Sequence, residues 1–328
     1  MSQKFTELYI KTIEIINRYD KFLIISHDFP DGDCLGSQLA FFELLKLLDK
    51  KVTMFCGSEL PYQYSFLPNS KLIENDFEKI SKTCLNSSCV CICLDCSDER
   101  RFSLDIGLLK QGTAIIINID HHPGNTQFGD INITDPGKSA TAEILYEFFM
   151  YGFAELINHN IALDIYTGIL TDTGKFQYEN TTGNVHKTVS CLLEYGIVPS
   201  DIFSQIYENE PFKRFKLLEV ILRRIKLDEG KKIIYSYILQ RDLEEFGLPF
   251  SANDGVIELL RGAAGARVAA LIKEVGKKKY KVSLRSTDST YSVAELAARF
   301  GGGGHKMAAA YAKTASLKEV IASLIDFA

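Results

Sequence analysis

The chain has 328 residues and a formal net charge of −5, with 46% hydrophobic and 24% charged residues. Those are ordinary globular proportions, and they exclude an intrinsically disordered chain. At about 150 residues per domain the length predicts roughly two domains, each long enough to bury its own core. No run approaches the ~18 apolar residues of a membrane span, and the charged N-terminus is not expected to be a secretory signal. The charge is uneven: net −8 over residues 1–226 and +3 over residues 227–328. Two halves with different tasks are expected. The mild acidity argues against a duplex-DNA binder but leaves a small phosphorylated ligand open. Eight cysteines, four of them between positions 89 and 96, read as reduced thiols of a cytoplasmic protein rather than a disulfide framework.

Short apolar runs alternate with amphipathic stretches through the N-terminal half. Strands are predicted at Phe22–Ser26, Val52–Cys56, Val90–Asp95 and Ala114–Asp120. Helices are predicted at 34–49 and 139–151, the second with Ser139 as N-cap. Near-continuous apolar strands between helices imply an α/β domain whose parallel sheet is covered on both faces. Residues 159–226 read as mostly helix, with candidates at 182–195, 199–208 and 211–226 punctuated by Gly196, Pro199 and Pro211. Further strands are predicted at Lys232–Leu239, Ala266–Val275 and Tyr280–Ser286. A helix at 293–300 runs into four glycines, and another closes the chain at 316–327. The expected organisation is an N-terminal domain over 1–195, a helical connector over 196–226, and a smaller C-terminal α+β domain over 227–328.

The acids and histidines gather at predicted strand ends. The first strand runs into His27-Asp28-Phe29-Pro30-Asp31-Gly32-Asp33, the third ends at Asp95, and the fourth at Asp120-His121-His122. In an open parallel sheet these ends share one rim, where ligands bind. Asp172, in Thr171-Asp172-Thr173-Gly174, is a further candidate. Each piece alone has a bland reading: a solvated turn, a strand-end cap, a surface histidine pair. Together, so many carboxylates need compensation, and divalent cations supply it. Mixed Asp and His donors suit Mn²⁺, with Fe²⁺ or Zn²⁺ as alternatives, whereas Mg²⁺ prefers all-oxygen sites. Two ions side by side make a clamp for phosphoryl displacement.

These motifs, in this order, resemble those of the DHH phosphoesterase superfamily. Gly301-Gly302-Gly303-Gly304-His305 is similar to the glycine-rich motif of the DHH-associated C-terminal domain, so the resemblance spans nearly the whole chain. Within the superfamily it is most similar to the nanoRNase and pAp phosphatase group. The resemblance implies that His27, Asp31 and Asp95 hold one metal ion. Asp33, Asp95, His121 and Asp172 would hold a second, with Asp95 bridging. It implies that Asp120 orients a histidine and that His122 contacts the scissile phosphate. It further implies hydrolysis of short single-stranded RNA to mononucleotides and dephosphorylation of 3′-phosphoadenosine 5′-phosphate (pAp). The alternative is a linear or cyclic dinucleotide phosphodiesterase acting on pApA or cyclic di-AMP. A non-catalytic nucleotide-binding module would be expected to have lost ligands, and none is missing. One departure from the family pattern is Ala308-Ala309-Ala310, where relatives tend to place a glycine third. The oligomeric state is left open, a homodimer included.

In the C-terminal half, Gly302, Gly303, Gly304 and His305 are candidates for binding the terminal nucleotide. The following Lys306–Ala310 is expected to offer backbone amides at a helix N-terminus. Arg285 and Arg261 are candidate phosphate contacts. Pro136-Gly137-Lys138-Ser139 looks like the end of a P-loop, but position 132 is Asn where the motif needs Gly, so an NTPase is rejected. Cys91-x-Cys93-x-x-Cys96 is read as packed thiols, because alternate residues of a strand share a face. His159 and His186 are read as structural or surface residues.

Overall fold

The computed structural model describes residues 3–84, 89–102, 104–253, 255–288 and 290–327. The chain divides into two compact units, Met1–Asn209 and Glu210–Ala328.

The first unit is built in chain order from α1 (Gln3–Arg18), β1 (Lys21–Ser26), α2 (Gly32–Leu47), β2 (Lys51–Phe55), β3 (Ile73–Glu74) and α3 (Phe77–Cys84). It continues with β4 (Cys89–Leu94), α4 (Ile106–Gly112), β5 (Thr113–Asp120), β6 (Ile131–Thr134), α5 (Thr141–Gly152), α6 (His159–Asp172), α7 (Gly183–Leu193) and α8 (Pro199–Tyr207). Its six strands are all parallel, in the order β3-β2-β1-β4-β5-β6. Alternate residues feed two cores. Phe22, Ile24, Val90, Ile92, Ile117 and Ile119 pack with residues of α1, α2, α5 and α6. Leu23, Ile25, Cys89, Cys91, Cys93 and Ile116 pack on the opposite face with Ile80 and Leu109. A strand buried on both sides cannot afford polar alternation, which is why β4 reads Cys-Val-Cys-Ile-Cys-Leu. The cysteines at 89, 91 and 93 share one face and are buried, as expected.

Strand order reverses between β1 and β4, so the crevice at this switch point opens at the C-terminal ends of β1, β4 and β5. Two helices close over it. Where α2 crosses α6, a Cβ on Gly36 would lie 2.3 Å from the Asp164 carbonyl oxygen, and one on Gly168 would lie 2.8 Å from an Asp33 carboxylate oxygen. Only glycine permits that approach.

The second unit contains α9 (Phe212–Arg223), β7 (Lys226–Asp228), β8 (Ile233–Ile238), α10 (Gln240–Phe246), α11 (Val256–Arg261), β9 (Val268–Gly276), β10 (Lys279–Ser286), α12 (Val293–Ala298), β11 (Gly303–His305), β12 (Ala308–Thr314) and α13 (Leu317–Phe327). Its sheet runs β11-β12-β10-β9-β8-β7, and only β8 and β9 are parallel. Within the segment expected as a connector, Ile202 and Ile206 of α8 pack in the first unit's core, and Leu217 and Ile221 of α9 in the second unit's.

Two local expectations are corrected. Lys306–Ala310 offers no helix N-terminus: β11 and β12 pair antiparallel through Gly303↔Ala310 and His305↔Ala308. Ser139 does not cap α5. Ala140 occupies that position, and the Ser139 hydroxyl donates to Glu143 at 2.8 Å.

Candidate metal centre

The centre is assembled from the bottom of the crevice upward. Asp95 follows β4 with a left-handed backbone, φ +56°, and its amide donates to the Ile119 carbonyl at 3.0 Å. Its carboxylate is buried and accepts from the Thr141 hydroxyl at 2.9 Å. One oxygen lies 3.6 Å from His27 Nε2, the other 3.7 Å from His121 Nε2 and 3.6 Å from His122 Nδ1. Burial alone would raise its pKa, but His27, His122 and His121 outweigh it and hold the carboxyl below the usual range.

Asp33, in the first turn of α2, is also buried. Its two oxygens accept from the amides of Thr141 and Ala142, at 2.7 and 2.9 Å, so it occupies the N-terminus of α5. Desolvation, then the charges of Asp95, Asp172 and Asp31, push its pKa well up. Asp172 is the last residue of α6, 3.3 Å from His121 Nε2. Desolvation and the charges of Asp95 and Asp31 raise its pKa to about 8. Asp31 caps α2, accepting from the Cys34 amide at 3.0 Å. It stands at the exposed rim, yet crowding protein desolvates the carboxylate, and this with the charge of Asp95 raises its pKa.

Each histidine is anchored through Nδ1. His27 Nδ1 faces the Asp28 carbonyl at 2.8 Å and His121 Nδ1 the Lys138 carbonyl at 3.4 Å. His122 Nδ1 meets Asp120 at 2.8 Å. An Nδ1 that donates to a carbonyl leaves Nε2 as the free lone pair. His27 Nε2 is buried without a hydrogen-bond partner. Burial disfavours charge on His122, but the bond to Asp120 and the charge of Asp95 prevail and raise its pKa to about 9. Asp120 is itself held by Asn125, whose side-chain amide donates to it at 2.6 Å.

Potential donor atoms lie within 4.8 Å of one another in three groups among the described residues: His27–Cys34–Asp95, Asp95–His121–His122, and Asp33–His121–Asp172. Burial and the charges of Asp95 and Asp31 drive the Cys34 thiol well up. An orphaned imidazole nitrogen beside carboxylates that raise one another's pKa is a donor set that fits divalent cations.

Reading the sequence missed the supporting groups: Thr141 on Asp95, Asn125 on Asp120, and Asn180, whose side-chain amide donates to the carbonyls of Ser139 and Asp172 at 3.0 and 3.1 Å. The polar start of α5, Ser139-Ala140-Thr141-Ala142-Glu143, was a usable signal, since hydroxyls there have orphan amides and nearby acids to serve.

In the second unit, Gly302, Gly303, Gly304 and His305 form the turn into β11 and β11 itself. A Cβ on Gly302 would lie 2.3 Å from the Ala310 carbonyl oxygen, and Gly304 has φ +142°. His305 is exposed. Arg285, on β10, is engaged by Glu258 at 3.1 Å, and Arg261 ends α11.

Comparison with known proteins gives the family. The DHH family, N-terminal domain, matches residues 21–169, and the DHHA1 domain matches residues 230–328. A Thermus thermophilus protein named bifunctional oligoribonuclease and PAP phosphatase NrnA is 30% identical over 286 residues, covering 87% of this chain and 82% of that one. The chain belongs to the DHH family. A Bacillus subtilis protein of the same name is 28% identical over 299 residues, covering 90% of both chains. The crystal structure of an exopolyphosphatase-related protein from Bacteroides fragilis superposes with a TM-score of 0.92 at 25% identity, covering 98% of this chain and 95% of that one. As a DHH protein the chain is a hydrolase of phosphoester bonds. Among the described residues no helix is long and apolar enough to cross a membrane.

Proposed function

We propose that this DHH hydrolase degrades short single-stranded oligoribonucleotides to mononucleotides and removes phosphate from pAp, using two divalent cations. The observation that carries the reading is the buried Asp95 carboxylate, with His27 on one oxygen and His121 on the other. His27, Asp31 and Asp95 would hold one ion, and Asp33, Asp95, His121 and Asp172 the second, most suitably Mn²⁺. Such ions supply Lewis acidity and a nucleophile at neutral pH. The names of the Thermus and Bacillus relatives support the substrate class.

The chain's own residues do the rest. Asp120 holds the His122 ring by Nδ1 and so fixes the direction in which the imidazole faces the rim. A hydrogen-bond donor held there stabilises charge that develops on the phosphoryl oxygens, without reorganising as it does so. Gly302–Gly304 and His305 would take the terminal nucleotide, where absent side chains let a ligand approach the backbone. Arg261 and Arg285 would contact its phosphate, Arg285 by exchanging Glu258 for it. The reduced, buried thiols fit a cytoplasmic setting.

The test is turnover of a labelled RNA dinucleotide, pAp and cyclic di-AMP by the purified chain with Mn²⁺. Mononucleotides from the dinucleotide and AMP from pAp are expected, with Asp95→Asn inactive. No turnover of either, or a clear preference for cyclic di-AMP, would contradict the reading.

A further inference from the structure

Phe29 lies on the loop from β1 to α2, two residues from His27 and two from Asp31. At 3.8 Å between successive Cα atoms, its Cα is within about 7.6 Å of theirs. The loop inverts ordinary burial: Pro30 is buried, while Phe29 is 87% exposed. Its backbone is left-handed, φ +55°, a region that bulky side chains rarely adopt. The proline that follows restricts it further, since a residue before proline favours extended backbone.

The surroundings hold this conformation in place. The Phe29 amide donates to the Ser58 hydroxyl at 3.0 Å, and the Asp28 amide to the Arg101 carbonyl at 3.0 Å. The Asp28 carbonyl accepts from His27 Nδ1, so the strained turn and the imidazole are fixed together. A large apolar ring left in water on a strained backbone gains nothing for folding. Residues held this way cluster at ligand-binding sites, where the strain is maintained by the structure around them.

We infer that Phe29 is a specificity-determining residue whose ring stacks on the base of the nucleotide bound at the carboxylate centre. The inference rests on the oligonucleotide reading above and names one contact within it. A phenyl ring carried on the loop between His27 and Asp31 can stack on any base, because every base has a π-face. That gives base-dependent but sequence-tolerant binding. It would favour nucleotides over phosphate esters that lack a base.

The experiment compares the full-length chain with Phe29→Asn and Phe29→Tyr, with Mn²⁺ present. Substrates are an RNA dinucleotide and an analogue carrying abasic ribose in place of both nucleosides. Asn tolerates left-handed backbone, so Phe29→Asn removes the ring and relieves the strain together. We expect it to raise the dinucleotide KM about tenfold or more, with kcat unchanged. The thermal midpoint should stay level or rise, and Phe29→Tyr should behave as the parent. On the abasic analogue the parent and Phe29→Asn should agree. An unchanged dinucleotide KM alongside normal parent turnover overturns this inference alone. So does a fall in thermal midpoint that accompanies equal losses in both variants, which marks a folding role. If the parent cleaves no dinucleotide, the oligonucleotide reading fails and the inference falls with it.

Discussion

Thr141 shows how much of the centre depends on groups that touch no ligand. Its hydroxyl donates to Asp95, and its amide to Asp33. One residue at the start of α5 therefore aims two of the carboxylates. Groups that orient metal ligands in this way are commonly worth 10–100-fold in metal affinity, about 1.4–2.8 kcal/mol. Thr141→Val keeps the shape and the amide and loses the hydroxyl. Calorimetric titration of the metal-free protein should show Mn²⁺ affinity falling by about that factor, with Thr141→Ser restoring it. Equal affinity in the Val variant would mean that the hydroxyl only fills space. At this scale the acids and imidazoles were legible in the sequence, because chemistry-bearing residue types at successive strand ends have few other uses. The hydroxyl and amide partners were not. Thr141, Asn125 and Asn180 are ordinary residues; Thr141 finds Asp33 more than a hundred positions away, and Asn125 and Asn180 reach Asp120 and Asp172 through loop geometry that carries no sequence pattern.

At the scale of elements, the strands were the easiest to read, since β1, β4 and β5 are apolar almost throughout and lie within a residue or two of their expected bounds. The glycine motif was misread after His305. Gly303–His305 and Ala308–Thr314 pair as strands, and a run of small residues carries no periodicity that separates strand from helix. Ser139 lost the capping role because Asp33, from another helix, already takes the α5 amides. The α2–α6 crossing was invisible for a similar reason: Gly36 matters only because Asp164 is opposite. Gly36→Ala should destabilise the chain by about 1–3 kcal/mol, as other overpacked contacts do, and a denaturant midpoint unchanged from the parent would contradict the tight crossing. In the second unit, Arg224 of the α9 end holds the buried Asp242 of α10, and its guanidinium stacks on Tyr237. Burial would raise the Asp242 pKa, but Arg224 and the Leu239 amide lower it. A lowered carboxyl pKa gives stability that is present above the unfolded value, near 4, and is lost as pH falls through the folded one. Asp242→Asn should therefore cost about 1.5–3 kcal/mol at pH 7, the worth of a hydrogen bond to a charged group. The gap from the parent should narrow below about pH 4; a gap independent of pH would show that charge is not involved.

For the whole molecule, the net charge of −5 describes the chain without its ions. Two divalent cations would offset about four units of it, most of that at one crevice. Burial and then the charges of neighbouring carboxylates raise the pKa values of Asp31, Asp33 and Asp172, a cost that bound cations would relieve. Length and charge asymmetry suggested two domains, and the chain divides into two compact units. The switch-point crevice followed from strand order, which the spacing of apolar runs only suggested. The proposed activity needs a two-ion centre bridged by Asp95. Calorimetric titration of the metal-free chain with Mn²⁺ reads that stoichiometry. Two ions per chain are expected in the parent, with neither retained at comparable affinity in Asp95→Asn. A single ion in the parent, or two ions bound unchanged by Asp95→Asn, would contradict it.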